Sequence, residues 1–113
     1  MIVSYDVSDR VRLGNHSGNT STAAFTTVGG VATDPTEVVL TVREPDGTLA
    51  VYRWPTPGVG ESALSKETTG RFYADVGLDA AGLWAYRVEG TGAVVASEEG
   101  MLHVRKSVVA AEA

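Results

Sequence analysis

The sequence contains no cysteine. That excludes disulfides, cysteine-ligated zinc, iron–sulfur clusters and thiol nucleophiles. Lysine occurs only twice and the formal net charge is −5, which argues against a phosphate-rich partner, so no nucleic acid is expected. No apolar run approaches the roughly 20 residues that a membrane-spanning helix needs, so no membrane partner is expected either. The start, Met1-Ile2-Val3-Ser4-Tyr5-Asp6, has neither a basic region nor an uninterrupted apolar core, and does not read as a secretory signal. What the chain has in quantity is 17 Val, 12 Thr and 13 Gly among 113 residues, the composition of a β-protein. Its length suits one domain, expected over 1–107, with 108–113 as a C-terminal tail.

Period-two alternation, the mark of half-buried strands, runs through most of the chain. Arg10-Val11-Arg12-Leu13 sends Val11 and Leu13 to one face and two arginines to the other. Gly14 to Thr20 is a polar loop, and Ser21 to Val28 reads as a second strand with Ala23 and Phe25 inward. In Thr36 to Trp54, Val38, Leu40 and Val42 alternate with Glu37, Val39, Thr41 and Arg43 up to Glu44-Pro45-Asp46-Gly47. There proline presets φ, Asp accepts local backbone bonds and Gly tolerates positive φ, so a hairpin is predicted. Pro55 to Thr69 is a long connection, read either as a contact loop or as a Greek-key crossover between two sheets. Within it Glu61 to Lys66 is expected to form a helical turn resting on Ala63 and Leu64. Phe72, Ala74, Val76 and Leu78 share one face of a further strand, as do Trp84, Tyr86 and Val88 of the next. In the last strand Leu102 and Val104 point inward while Met101, His103 and Arg105 point outward. A bulge or bend is expected at Glu98-Glu99-Gly100.

About seven short strands with turns every 8–12 residues predict an all-β fold, an Ig-like β-sandwich of about seven antiparallel strands without a disulfide. An OB-like or other small barrel is the alternative. The core is expected around Phe25, Leu40, Phe72, Trp84 and Tyr86. The stretch Asp79-Ala80-Ala81-Gly82-Leu83-Trp84-Ala85-Tyr86 resembles the entry to strand F of Ig-type domains, where a corner tyrosine precedes a core cysteine by two residues. Here Trp84 takes the tyrosine's place and Tyr86 the cysteine's. A tryptophan N–H donates but does not accept, so it can supply only part of the tyrosine's role.

Chemistry-bearing residues are sparse. His16 in a polar loop and His103 on an outward strand position read as surface residues. Glu98 and Glu99 are neighbours on a strand and point to opposite faces unless a bulge realigns them. Asp6 and Asp9 lie near each other, but calcium takes six to eight oxygen ligands and no Asp-rich loop supplies them. Gly29-Gly30 and Gly58-Val59-Gly60 read as loop glycines, with no phosphate loop before a helix. The sequons Asn15-His16-Ser17 and Asn19-Thr20-Ser21 read as polar loop sequence. Trp54 reads as a cap on the core at a strand end, with an exposed binding aromatic as the alternative. No catalytic, cofactor-binding or metal-binding residue is assigned, no cofactor is expected, and an enzyme is not expected.

Three stretches are similar to a family. Tyr5 to Leu13, Asp34 to Thr48 and Gly82 to Ala93 resemble a group of small Ig-like virion structural proteins of tailed phages of actinobacteria, encoded near capsid and head–tail connector genes. The likeness covers nearly all of 5–105 and rests on strand and turn signatures. It implies a non-enzymatic structural protein of the particle, made in the host cytoplasm, at the head–tail junction (connector), as capsid decoration, or on the tail. It implies other virion proteins as partners, in many symmetric copies, during viral assembly. The edge strands, the Pro55–Thr69 segment and the termini are the expected contact elements, and the isolated chain is expected to be a monomer or weak oligomer. The alternative function is an Ig-like adhesion module for a host glycan or protein, carried by Trp54.

Overall fold

The structure, a computed structural model, describes residues 2–19 and 22–105, with side chains from Tyr5 onward. In chain order its strands are β1 (Ile2–Asp6), β2 (Arg10–Gly14), β3 (Glu37–Arg43), β4 (Leu49–Trp54), β5 (Ser62–Ala63), β6 (Ser65–Thr68), β7 (Arg71–Gly77), β8 (Gly82–Thr91) and β9 (Ala96–Arg105). The predicted hairpin is β3–β4, in register from Arg43↔Leu49 to Val38↔Trp54. Its turn closes as the side chains require. Asp46 Oδ1 accepts the Thr48 N–H at 2.9 Å, the Glu44 N–H reaches Thr48 O at 2.9 Å, and Gly47 adopts φ 92°.

Two sheets form, one in the order β1-β9-β8-β3-β4-β5 and the other β2-β7-β6. Seven strands are joined by antiparallel ladders, while β1 and β5 are added in parallel at the two edges of the larger sheet. The order β9-β8-β3-β4 facing β2-β7-β6 is the layout of an Ig-like sandwich, and the chain is all-β with no disulfide. Strand alternation builds the core between the sheets. Val38, Leu40 and Val42 meet Phe72, Ala74 and Val76 from the facing sheet, with Val88, Leu102 and Val104 completing it. Burying each large side chain of this kind stabilises the fold by roughly 1.5–3 kcal/mol.

The corner at the start of β8 forms with the tryptophan. Trp84 is buried, and its Nε1–H donates to the Ala80 carbonyl at 2.9 Å. That is the backward bond to the backbone that the corner tyrosine makes in Ig domains. Tyr86 follows on the same face, half-buried and packed against the core.

Three expectations are corrected. Ser21 to Val28 makes no strand among its described residues. Thr26 bridges Ala32 in isolation, Ala23 is exposed, and Phe25 is buried as a single anchor whose N–H bonds Gly70 O at 2.8 Å. Glu61 to Lys66 is not helical, because Ser62–Ala63 pairs with Tyr52–Arg53 and the chain then crosses to the other sheet as β6. Leu64 is the buried contact and Ala63 is exposed. The 55–69 segment is thereby a crossover between sheets. At Glu98-Glu99-Gly100 the β8–β9 register runs without interruption. The glycine there serves another purpose: a Cβ on Gly100 would lie 2.5 Å from the Tyr86 ring, so its absence makes room for the tyrosine. The proposed tail 108–113 lies outside the described residues.

Candidate interaction surface

The strand layout disperses the sequence's chemical candidates. Glu98 is half-buried in the row of Val88, while Glu99 is on the other face, exposed and 4.0 Å from Arg87 Nε. They do not meet. His103 is exposed opposite Leu83. Asp6 pairs with Arg105 at the end of β9 at 2.9 Å, and Asp9 Oδ2 accepts the Asp6 N–H at 2.9 Å, closing the β1–β2 turn. Among the described residues no group of three or more His, Asp or Glu side chains is placed to hold a metal ion.

Trp54, at the end of β4, is half-buried with its ring centroid 4.8 Å from that of Phe72. It caps the core rather than standing free on the surface. Beside it Arg53 organises the loop that follows. Its Nε and Nη2 bind the two oxygens of Glu61 at 2.6 and 2.9 Å, and its Nη1 binds Glu37 Oε1 at 2.7 Å. Glu61 Oε1 also accepts the Gly58 N–H at 2.7 Å. Through the Arg53 guanidinium first and the Gly58 N–H second, the Glu61 carboxyl is drawn down to about 2. A bidentate pair of this geometry fixes orientation as well as charge, so residues 55–61 are folded back onto the strand.

The first loop is held by a residue that the sequence disguises. Asn15 is fully buried. Its Nδ2 donates to Ala23 O at 3.0 Å and Gly70 O at 2.9 Å, and its Oδ1 accepts the Phe72 N–H at 2.8 Å. Every strong bonding site of this amide but one lone pair is engaged, which leaves no room for a glycan on the first sequon. Nearby, Asn19 Nδ2 donates to Gly14 O at 2.9 Å and to Tyr86 Oη at 2.8 Å. Burial pushes the Tyr86 phenol up, the Asn19 bond opposing it. These side chains, with Arg12, His16 and Gly100, border a half-open cleft of about 950 Å³. His16 is half-buried there rather than on the open surface. Its Nδ1 has no hydrogen-bond partner among the described residues, and burial lowers its imidazole below the ordinary range. Arg12 is committed to Asp75 at 3.0 Å.

The register gathers three loops at one pole. β3 starts, β4 ends, β8 ends and β9 starts together, through Glu37↔Thr91, Val38↔Trp54 and Gly90↔Ala96. The 22–36 loop joins them: Thr36 N–H bonds Thr91 O at 2.9 Å, and Thr36 Oγ1 accepts the Ala93 N–H at 3.1 Å. Sequence reasoning noted Gly29-Gly30 and Gly58-Val59-Gly60 as loop glycines but gave no sign that they converge, since convergence depends on the long-range register. The signal that was present is valine in polar, glycine-rich loops. Comparison with protein-family models, with curated proteins and with solved structures finds no match to this chain.

Proposed function

We propose that this protein is a non-enzymatic structural subunit of a tailed-bacteriophage particle, assembling at the head–tail junction or on the capsid. The observation that carries the reading is the agreement between the resemblance and the frame. The stretches that resemble the phage group are Tyr5 to Leu13, Asp34 to Thr48 and Gly82 to Ala93. They fall on β1–β2, on β3 with its turn, and on β8, the strands and tight turns that set an Ig-like sandwich. A rigid β-sandwich that displays loops at one pole suits a role in which many copies bind through repeated small contacts. On a ring or lattice such contacts multiply into stable attachment. The net charge of −5 suits protein neighbours or solvent rather than packaged DNA.

Mass spectrometry of purified particles, with copy number, tests the proposal. Roughly a dozen copies or fewer support a connector ring and hundreds support capsid decoration, as symmetric assembly dictates. Absence of the protein from intact particles overturns the reading.

A further inference from the structure

The pole where the three loops converge differs in chemistry from the rest of the molecule. One residue in five of the chain is charged, yet residues 22–33, 55–60 and 90–97 contain no Asp, Glu, Lys, Arg or His. Four exposed large hydrophobic residues stand on these loops: Val28 and Val59 fully exposed, Val95 79% and Val31 65% exposed. The loops that carry them are anchored. Thr27 N–H bonds Val31 O and Gly30 N–H bonds Thr27 O, both at 2.9 Å, closing a turn under Val28. The Glu61–Gly58 and Glu61–Arg53 bonds do the same beneath Val59. Apolar tips held out by fixed turns are not side chains that failed to reach the core.

We infer that the uncharged, valine-tipped loops of this pole are the docking end of the protein, and that their occupant is an uncharged apolar patch on a neighbouring protein subunit of the particle. The inference rests on the structural role proposed above and names the surface that performs it. Charge decides the class of partner. Surfaces that enter a bilayer carry Trp, Phe or Leu at the tip and Lys or Arg at the rim to meet headgroups. Here the tips are valine, and cations of this pole are spent internally, Arg71 donating to the Asn15 carbonyl at 3.2 Å. Arg53 is held by Glu37 and Glu61, and Lys66 is 2.5 Å from Asp34. Depletion of charge with apolar contact is instead what the buried centre of a protein interface requires, and exposed apolar clusters of this kind mark such sites.

The test uses particles assembled in cells that supply the protein as wild type or as V28E, V59E or V95E. Copy number per particle is measured by mass spectrometry, and melting temperature is measured on the purified proteins. The expected result is a loss of at least tenfold in incorporated copies for V59E and V28E with unchanged melting. The isosteric V59T should retain most copies, and L83E, an exposed apolar position on the outer face of the larger sheet, should incorporate normally. Normal incorporation of all three valine variants overturns the inference while leaving the structural role standing, as does exclusion of L83E alone. Absence of the wild type from the particle overturns both. Flotation with phosphatidylcholine vesicles supplies the other arm: no binding is expected, and binding by wild type that V59E abolishes would reassign the pole to a bilayer.

Discussion

The two poles of the sandwich are built from opposite materials. At one, the connections are short: Val7–Asp9, Glu44–Thr48 and Leu78–Ala81. They are rich in charge, with Asp9, Glu44, Asp46 and Asp79 in the turns and Asp6, Arg10, Arg43 and Arg105 at the adjoining strand ends. Local bonds close them, as in Asp46 to Thr48 and Trp84 to Ala80, and paired backbone bonds at 2.8 Å, Ser8 N–H to Leu78 O and Leu78 N–H to Asp9 O, join two of the turns to each other. At the other pole two connections are long, 15–36 and 55–61, with uncharged tips, and they are held by bonds to residues of other elements, as in Asn15 to Gly70 and Phe72 and Glu61 to Arg53. A short turn such as Glu44–Thr48 closes on its own local chemistry. Long loops stay in place only where a buried polar group or an ion pair ties them to the frame, because their own backbone groups must be satisfied from elsewhere. The difference locates the loops proposed above for docking.

The sharpest way to break the contrast is Asn15→Ala. It leaves the buried Phe72 N–H without its partner, at about 1–3 kcal/mol, and removes one bond each from the Ala23 carbonyl and from the Gly70 carbonyl, which keeps the Phe25 N–H, at about 1 kcal/mol each, so the expected loss is about 3 kcal/mol in urea unfolding. Amide exchange should accelerate first in residues 14–19 and 22–25. Gly100→Ala comes next: the new methyl displaces the Tyr86 ring and its bond from Asn19, an overpacking cost of about 1–3 kcal/mol, read as a lower urea midpoint. Trp84→Phe tests the other pole. It keeps most of the ring and removes one bond to Ala80, so about 1 kcal/mol is expected, clearly less than Asn15→Ala. If the order reverses, the short-turn pole carries the fold instead.

The acid limb sharpens the comparison further. Glu61 titrates near 4.5 when unfolded and about 2 when folded. A carboxylate depressed in this way contributes stability that is complete above the unfolded value and is lost as pH falls through the folded one. The melting difference between wild type and Glu61→Gln should therefore be constant above about pH 5 and shrink between about pH 4.5 and 2. High salt should reduce it in part, since both side chains keep partial contact with solvent. The smallest effect expected is that of Val59→Glu on stability, within about 0.5 kcal/mol, because the side chain touches no core residue.

Much of this was legible in the sequence, for reasons that particular residues explain. The β3–β4 hairpin is written in its turn, and Phe72, Ala74, Val76 and Leu78 alternate so regularly that only one face can be buried. What local pattern does not encode is pairing between distant segments. β1 joins β9 in parallel with no turn between them to announce it. Ser62–Ala63 is too short to show a period, so the neighbouring residues suggested a helical turn. Asn15 sits in a stretch of Asn, Ser and Gly where a buried amide looks like any loop residue. Gly100 looked like a break in a strand because the partner it accommodates, Tyr86, is on the strand alongside. The docking pole was half visible: the valines and glycines could be read, but their convergence required the β3–β8 and β8–β9 registers.

The parallel pairing of β1 with β9 has a mechanical consequence. Ile2 lies beside Met101 and Asp6 beside Arg105, so the two strands run the same way along one edge. A pull that draws Ile2 and Arg105 apart slides one strand past the other and stresses the hydrogen bonds of the five residue pairs together. Adjacent antiparallel ends pulled apart would instead open like a zipper, one bond at a time. Tension along this axis is thus borne in shear, and the Asp6–Arg105 ion pair at 2.9 Å adds a further fastening at its end.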